Sequence, residues 1–289
     1  MCLLCDNQFS QLPVAARNSA WHSRRGFLLA AAGAASAAAV TPAIAQVAVG
    51  KPSALRNLVP AEELEASAAE QYAKLLADAR AQGALAPPGN PQLKRLQTIG
   101  LRLVPFAAQW SDRSAKWRWE LNLFGGKQIN AFCMPGGKVA FYTGILDQLR
   151  LTDDEAAMVM GHEMAHALRE HARARIAKTQ GTGTLLSLGA QMFGLGQLGD
   201  VAANVGTQLL SLRFSRDDES DADLVGLEIA ARGGYNPQAA VSLWEKMAQA
   251  GGGAGGPSFL STHPSGPDRI RQLQASVPQV QGLYERARR

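Results

Sequence analysis

The chain has 289 residues, 46% of them hydrophobic, with a formal net charge of +5 and three cysteines. That length suits one domain with a sizeable core, and the apolar fraction is that of a globular chain rather than a disordered or fibrous one. The charge is too weak to argue for nucleic acid, the more so because losing Arg17, Arg24, Arg25 and Asp6 with an N-terminal leader lowers it.

The leader comes first in chain order. Ser23-Arg24-Arg25-Gly26-Phe27-Leu28-Leu29 is a twin-arginine pattern; an Ala/Gly-rich apolar region follows over residues 27–40, and Ala43-Ile44-Ala45 is a small-residue cleavage site. These features predict a twin-arginine signal peptide over residues 1–45, a mature start at Gln46 and a periplasmic location. A membrane anchor is the competing reading, but the apolar run is well short of the ~20 residues that a span needs. Cleavage removes Cys2 and Cys5 and leaves Cys133, so no intrachain disulfide is expected and Cys133 reads as a small apolar core residue.

Residues 46–289 read as a single domain. Helical periodicity covers residues 60–82 and 91–108, and strand patterns cover residues 116–124, 127–132 and 138–142. A small antiparallel sheet with an edge around Asn130, Ala131 and Phe132 offers main-chain hydrogen bonds to an extended peptide; alternatively this strand is interior, with Phe132 in the core.

The next helix carries the chemistry. Thr152 and Glu155 form a capping box, so a helix starts near Asp153, and Ala156, Val159, Met160, Met164, Ala167 and Leu168 give an apolar stripe in a run that continues to His171. Within it lies His162-Glu163-Met164-Ala165-His166. At ~100° per residue the two imidazoles sit roughly 40° apart on one face, able to share a metal ion, with Glu163 projecting beside them toward the open coordination position, a zinc-protease arrangement. A chance match in an ordinary core helix is the bland alternative. Gly161, directly before the first histidine, permits close approach of another backbone. His171 falls on the opposite side of a continuous helix and reads as a packing or capping residue.

A catalytic zinc site needs a third protein ligand. Glu219 and Asp223 share a helix face downstream, which suits a ligating carboxylate and a carboxylate that accepts the distal N–H of a ligating imidazole; the same stretch also reads as an acidic helix start capped by Ser215. Between the two motifs, residues 184–212 read as a Gly-loosened helical hairpin, too short and too interrupted to span a bilayer. No transmembrane span is expected in the mature chain, although a peripheral membrane contact is compatible with it. Residues 251–256 read as a flexible loop.

These residues resemble the gluzincin metallopeptidase family that contains the HtpX heat-shock protease and the CAAX prenyl protease. The resemblance rests on His162-Glu163-Met164-Ala165-His166, on Ser215-Arg216-x-x-Glu219-x-x-Ala222-Asp223, on Asn130-Ala131-Phe132-Cys133-Met134-Pro135-Gly136-Gly137, and on Thr262-His263-Pro264 with Arg269-Ile270. It implies an α+β fold, a mainly helical zincin-type domain with its small sheet beside the metal helix. It also implies one zinc held by His162, His166 and Glu219, Glu163 as general base, and His263 near the metal as oxyanion donor or as a latent occupant of the open position. Arg269 is a weaker oxyanion candidate and a candidate substrate contact, Tyr235 weaker still. The soluble branch of the family works in envelope quality control, which implies a zinc endopeptidase acting on unfolded or extended polypeptides. The alternative is a chaperone-like or binding module whose zinc site is structural or latent.

Overall fold

The computed structural model describes residues 47–183, 212–251, 258–263 and 267–289. The expected leader, most of the expected hairpin and the glycine run 252–256 lie outside the described residues. Among the described residues, no helix is long and apolar enough to cross a membrane.

A 3-10 turn (Ala54–Leu58) leads into helix α1 (Ala61–Ala81). Helix α2 (Pro91–Leu103) starts where Asn90 Oδ1 accepts from the amides of Gln92 and Leu93, with Pro91 at the first position, where its missing N–H costs nothing. Two further 3-10 segments lead to β1 (Glu120–Phe124), followed by β2 (Ala131–Met134) and β3 (Lys138–Tyr142). Helices α3 (Thr143–Gln148), α4 (Asp153–Leu168) and α5 (His171–Gly183) come next, then α6 (Arg216–Arg232), α7 (Ala239–Gly251), α8 (Ser258–Thr262) and α9 (Pro267–Ala287).

The architecture is the expected helical α+β one, but the sheet is mixed rather than purely antiparallel. Its order is β1-β3-β2. Strands β2 and β3 form an antiparallel hairpin closed by Gly136 and Gly137, both at positive φ (81° and 76°), while β1 lies parallel to β3 on its other side. The reason is the segment between β1 and β2, which carries the chain past β3 before the hairpin forms. Residues 127–130, expected to open the second strand, belong to that connection.

Helix α4 occupies the centre. Its capping box is formed as expected, with Thr152 accepting from Glu155 N and the Glu155 side chain accepting from Thr152 N. Every residue from Glu155 to Leu168 is buried, so the stripe expected on one face is a helix enclosed all round. Ala156, Ala157, Gly161, Ala165 and Ala167 make this feasible, because small side chains let α6, β2, α2 and α7 approach from different sides. At the crossing of α4 and α6, Gly161 faces Gly226: a Cβ at Gly161 would lie 2.7 Å from Gly226 O, and one at Gly226 would lie 2.6 Å from His162 N. The close approach anticipated at Gly161 is therefore to α6.

The helical run does not continue to His171. Helix α4 ends at Leu168, Glu170 takes a positive φ of 57°, and α5 begins at His171. The break turns His171 back toward the centre, where a continuous helix would have pointed it away.

Candidate metal centre

Helix α4 delivers His162 and His166, α6 delivers Glu219 from its first turn, and the residue after α8 is His263. The start of α6 is capped by Ser215, whose hydroxyl accepts from Asp218 N while Asp218 accepts from Ser215 N. The two readings of this stretch are thus compatible: it is an acidic, capped helix start, and Glu219 within it points inward at 2% exposure. His263 is held by its amide donating to Phe259 O at 2.9 Å, by Phe259 N donating to Ile129 O, and by Phe214 N donating to Thr262 O. It lies in the core rather than in an open loop, with Phe259 stacked on its ring at 4.3 Å.

The four side chains converge on one point, with one donor atom from each lying within 4.8 Å of the others. His162 Nε2 and His166 Nε2 are 3.1 Å apart, each is 3.5 Å from a Glu219 oxygen, and His263 Nδ1 lies 3.0 Å from Glu219 Oε1 and 3.3 Å from His162 Nε2. Donors ~2.0–2.1 Å from a tetrahedral zinc stand ~3.3–3.4 Å from one another, so the spacings fit that ion.

Protonation agrees with this fit. Burial pushes His162 down and His166 well down, so both rings are neutral and have lone pairs to give. Burial alone would raise Glu219 and Asp223, but His263, His162 and Arg269 around Glu219, and Arg269 and His162 beside Asp223, hold both below the ordinary carboxylate range. Among the described residues, the lowered carboxyl groups of Glu219 and Asp223 thus share the guanidinium of Arg269 in a buried cluster. A divalent cation would balance the remaining negative charge.

His162 Nδ1 lies 3.0 Å from Asp223 Oδ1, a spacing at which that carboxylate can accept the distal N–H and leave Nε2 facing the other donors. Arg269 forks onto Asp223, reaches Glu219 Oε2 at 2.6 Å, and lies 3.4 Å from the centre of the Trp244 ring. It is 7% exposed and does not line the cleft, so the substrate contact expected of it is corrected: its charge is committed to two buried carboxylates. Tyr235 is likewise remote from the cleft, with the Arg102 guanidinium over its ring.

The profile of Peptidase family M48 matches residues 91–277. The chain belongs to that family. Among the relatives of this M48 chain is the mitochondrial metalloendopeptidase OMA1 of Schizosaccharomyces pombe, 39% identical over 166 residues, covering 57% of this chain and 48% of the relative. OMA1 of Saccharomyces cerevisiae is 29% identical over 214 residues, covering 70% and 60%. The β-barrel assembly-enhancing protease of Escherichia coli is 29% identical over 201 residues, covering 65% and 39%. The M48 chain thus spans about half the length of the relatives it matches. The family and the donor set together assign zinc to the cluster.

One expectation is overturned here. OMA1 relatives from two yeasts, a plant and an animal carry a mitochondrial location in their names, against the twin-arginine, periplasmic location inferred from residues 1–45. The physical reason is that this segment, with Arg17, Arg24, Arg25 and a single acid at Asp6, has a composition shared by organellar targeting segments.

Glu163 is 2% exposed, and its Oε1 has no hydrogen-bond partner, with His263 Nε2 3.6 Å away. Burial pushes its carboxyl up to about 7, with the Glu219 charge adding to the rise and His263 and Arg269 opposing it. Glu163, His166 and His263 face a cleft of about 280 Å³ whose wall includes Asn130, Ala131 and Phe132. Phe132 is half-buried and meets Tyr72 edge-on at 6.4 Å, so it serves both the core and the cleft. Cys133 also lines the cleft, and burial raises its thiol well above the ordinary range.

Two neighbours of the centre were not legible in the sequence. His171 Nδ1 lies 3.0 Å from His166 Nδ1, and its Nε2 lies 3.0 Å from Asp221 Oδ2. The second is Phe214, whose ring lies over His166 at 4.0 Å. Asp221 stands between the two acids of the downstream motif, a signal hidden by the acidic character of the whole helix start.

Proposed function

We propose that this chain is a zinc metalloendopeptidase that cleaves unfolded or extended polypeptides in protein quality control. The observation that carries it is Glu163, a buried carboxyl with an unpartnered oxygen at the cleft floor beside the donors His162, His166 and Glu219. Bound zinc supplies a Lewis acid toward water and the scissile carbonyl. Glu163 takes the proton of the attacking water at Oε1 and returns it to the leaving amine; a carboxyl raised by burial suits both transfers near neutral pH. Asp223 orients His162, and Arg269 holds Asp223 and Glu219 in place.

Extended substrates are favoured by β2, an edge strand of the sheet, whose residues line the cleft and offer a backbone edge for pairing. The quality-control role takes its support from the name of the β-barrel assembly-enhancing protease, and the peptide-bond chemistry from those of the metalloendopeptidases. One catalytic domain over residues 46–289 is part of this reading.

A second reading is favoured by His263. Its Nδ1 stands among the candidate metal donors, where it would close the coordination set against water. In that state the chain is latent, or acts as a zinc-containing chaperone-like module. Digestion of casein by purified protein separates the two: cleavage abolished by a chelator and restored by zinc supports the peptidase, while a zinc-loaded protein that cleaves no unfolded substrate supports the module.

A further inference from the structure

The two histidines of α4 are held in different ways. His162 has a carboxylate directly behind it, in Asp223; His166 has another imidazole, and the carboxylate stands one step further out. The spacing His166 Nδ1 to His171 Nδ1 to His171 Nε2 to Asp221 Oδ2 is 3.0 Å at both contacts, and His166, His171 and Asp221 are in the buried interior or at its margin. Arg169 forks onto Asp221, with Nε 2.6 Å from Oδ2 and Nη2 3.2 Å from Oδ1, and its Nη2 also donates to Gly50 O.

Only one proton arrangement satisfies all these atoms while leaving His166 Nε2 unprotonated toward the donor cluster. Asp221 accepts from His171 Nε2–H; His171 Nδ1 is then an acceptor and takes the proton donated by His166 Nδ1. We propose that His171 and Asp221 are positioning residues that fix the tautomer and ring orientation of His166, with Arg169 tying Asp221 to the N-terminal segment at Gly50. This rests on the zinc reading of the cluster. The relay explains why the chain breaks at Glu170: a helix continued through His171 would carry that ring to the far side of α4, and the positive φ at Glu170 returns it to His166. An outer hydrogen-bond partner of this kind strengthens the ligand and holds its ring against rotation.

The test is zinc affinity, measured by competition with a chromophoric chelator on wild type, His171→Phe and His171→Asn, with the folding of each metal-free protein followed by circular dichroism. Phenylalanine fills the ring volume and removes the acceptor; asparagine places Oδ1 near the position of Nδ1. The relay predicts zinc binding about ten- to a hundredfold weaker in His171→Phe, with most of the loss recovered in His171→Asn. It also predicts a changed visible spectrum for cobalt-substituted His171→Phe. Equal affinity in wild type and His171→Phe, or equal weakening in both variants, overturns the relay and leaves His171 as packing. If His171→Phe does not fold, Asp221→Asn takes its place: weaker zinc binding supports the relay and unchanged binding overturns it. A wild-type protein that binds no zinc overturns the zinc reading itself, and the relay with it.

Discussion

Gly161 and Gly226 meet where α4 crosses α6, so closely that a Cβ on Gly226 would lie 2.6 Å from His162 N. The obstruction is backbone, which has no rotamer to give way. This contact sets the distance between the helix carrying His162 and His166 and the helix carrying Glu219. Gly226→Ala is expected to force the helices apart, costing on the order of 1–3 kcal/mol and weakening zinc binding. Urea denaturation of metal-free protein together with zinc titration checks this; wild-type values in both would remove the crossing from the account of the site.

Glu163→Gln separates the base from the ligands. The amide keeps the volume and cannot take a proton, so zinc content is expected to be unchanged while casein cleavage falls by about 10²–10⁴. Zinc analysis and a proteolysis assay on the same preparation decide it. Equal cleavage by variant and wild type would remove Glu163 from the role of base.

His263→Ala distinguishes latency from transition-state assistance. If His263 Nδ1, which stands among the donors, closes the resting site, removal of the imidazole is expected to raise basal cleavage of an unfolded substrate. If His263 instead stabilises the oxyanion, kcat falls roughly a hundredfold with zinc content retained. Unaltered basal and saturated rates would show that it is only a packing residue.

The acid limb of stability reports on Glu155, far from the metal ligands. Burial alone would raise this carboxyl, but Lys246 at 2.6 Å, the Thr152 amide and the Ser242 hydroxyl outweigh burial and hold it below its ordinary value of 4.5. A carboxyl lowered in the folded state stabilises fully above its unfolded value, and that contribution is lost as the pH falls through the lower, folded one. Glu155→Gln should therefore be less stable than wild type at neutral pH, by on the order of 1 kcal/mol, and the two should converge below pH 4.5. Urea midpoints across that range check it; a gap that widens on acidification reverses the sign.

Much of the centre was legible because it depends on local spacing. His162 and His166 share a face at i and i+4, the Thr152–Glu155 box marks where their helix begins, and Gly161 announces a close neighbour. The identity of that neighbour was not legible, since nothing local to Gly161 points to Gly226. His171 was misplaced because one residue, Glu170, adopts a positive φ that its side chain does not signal. Arg269 was misassigned for a similar reason: a lone arginine near a histidine motif reads as a substrate contact until the burial of Asp223 and Glu219 beside it is known. The parallel pairing of β1 with β3 depends on a connection whose path the strand patterns do not encode.

The central claim is that His162, His166 and Glu219 hold one zinc ion, and metal analysis tests it most directly. Protein purified without chelator, or reconstituted with zinc and freed of excess, is expected to carry one zinc per chain, and Glu219→Ala is expected to lose it. Wild-type protein with no zinc after reconstitution, or Glu219→Ala retaining a full equivalent at wild-type affinity, would contradict the account.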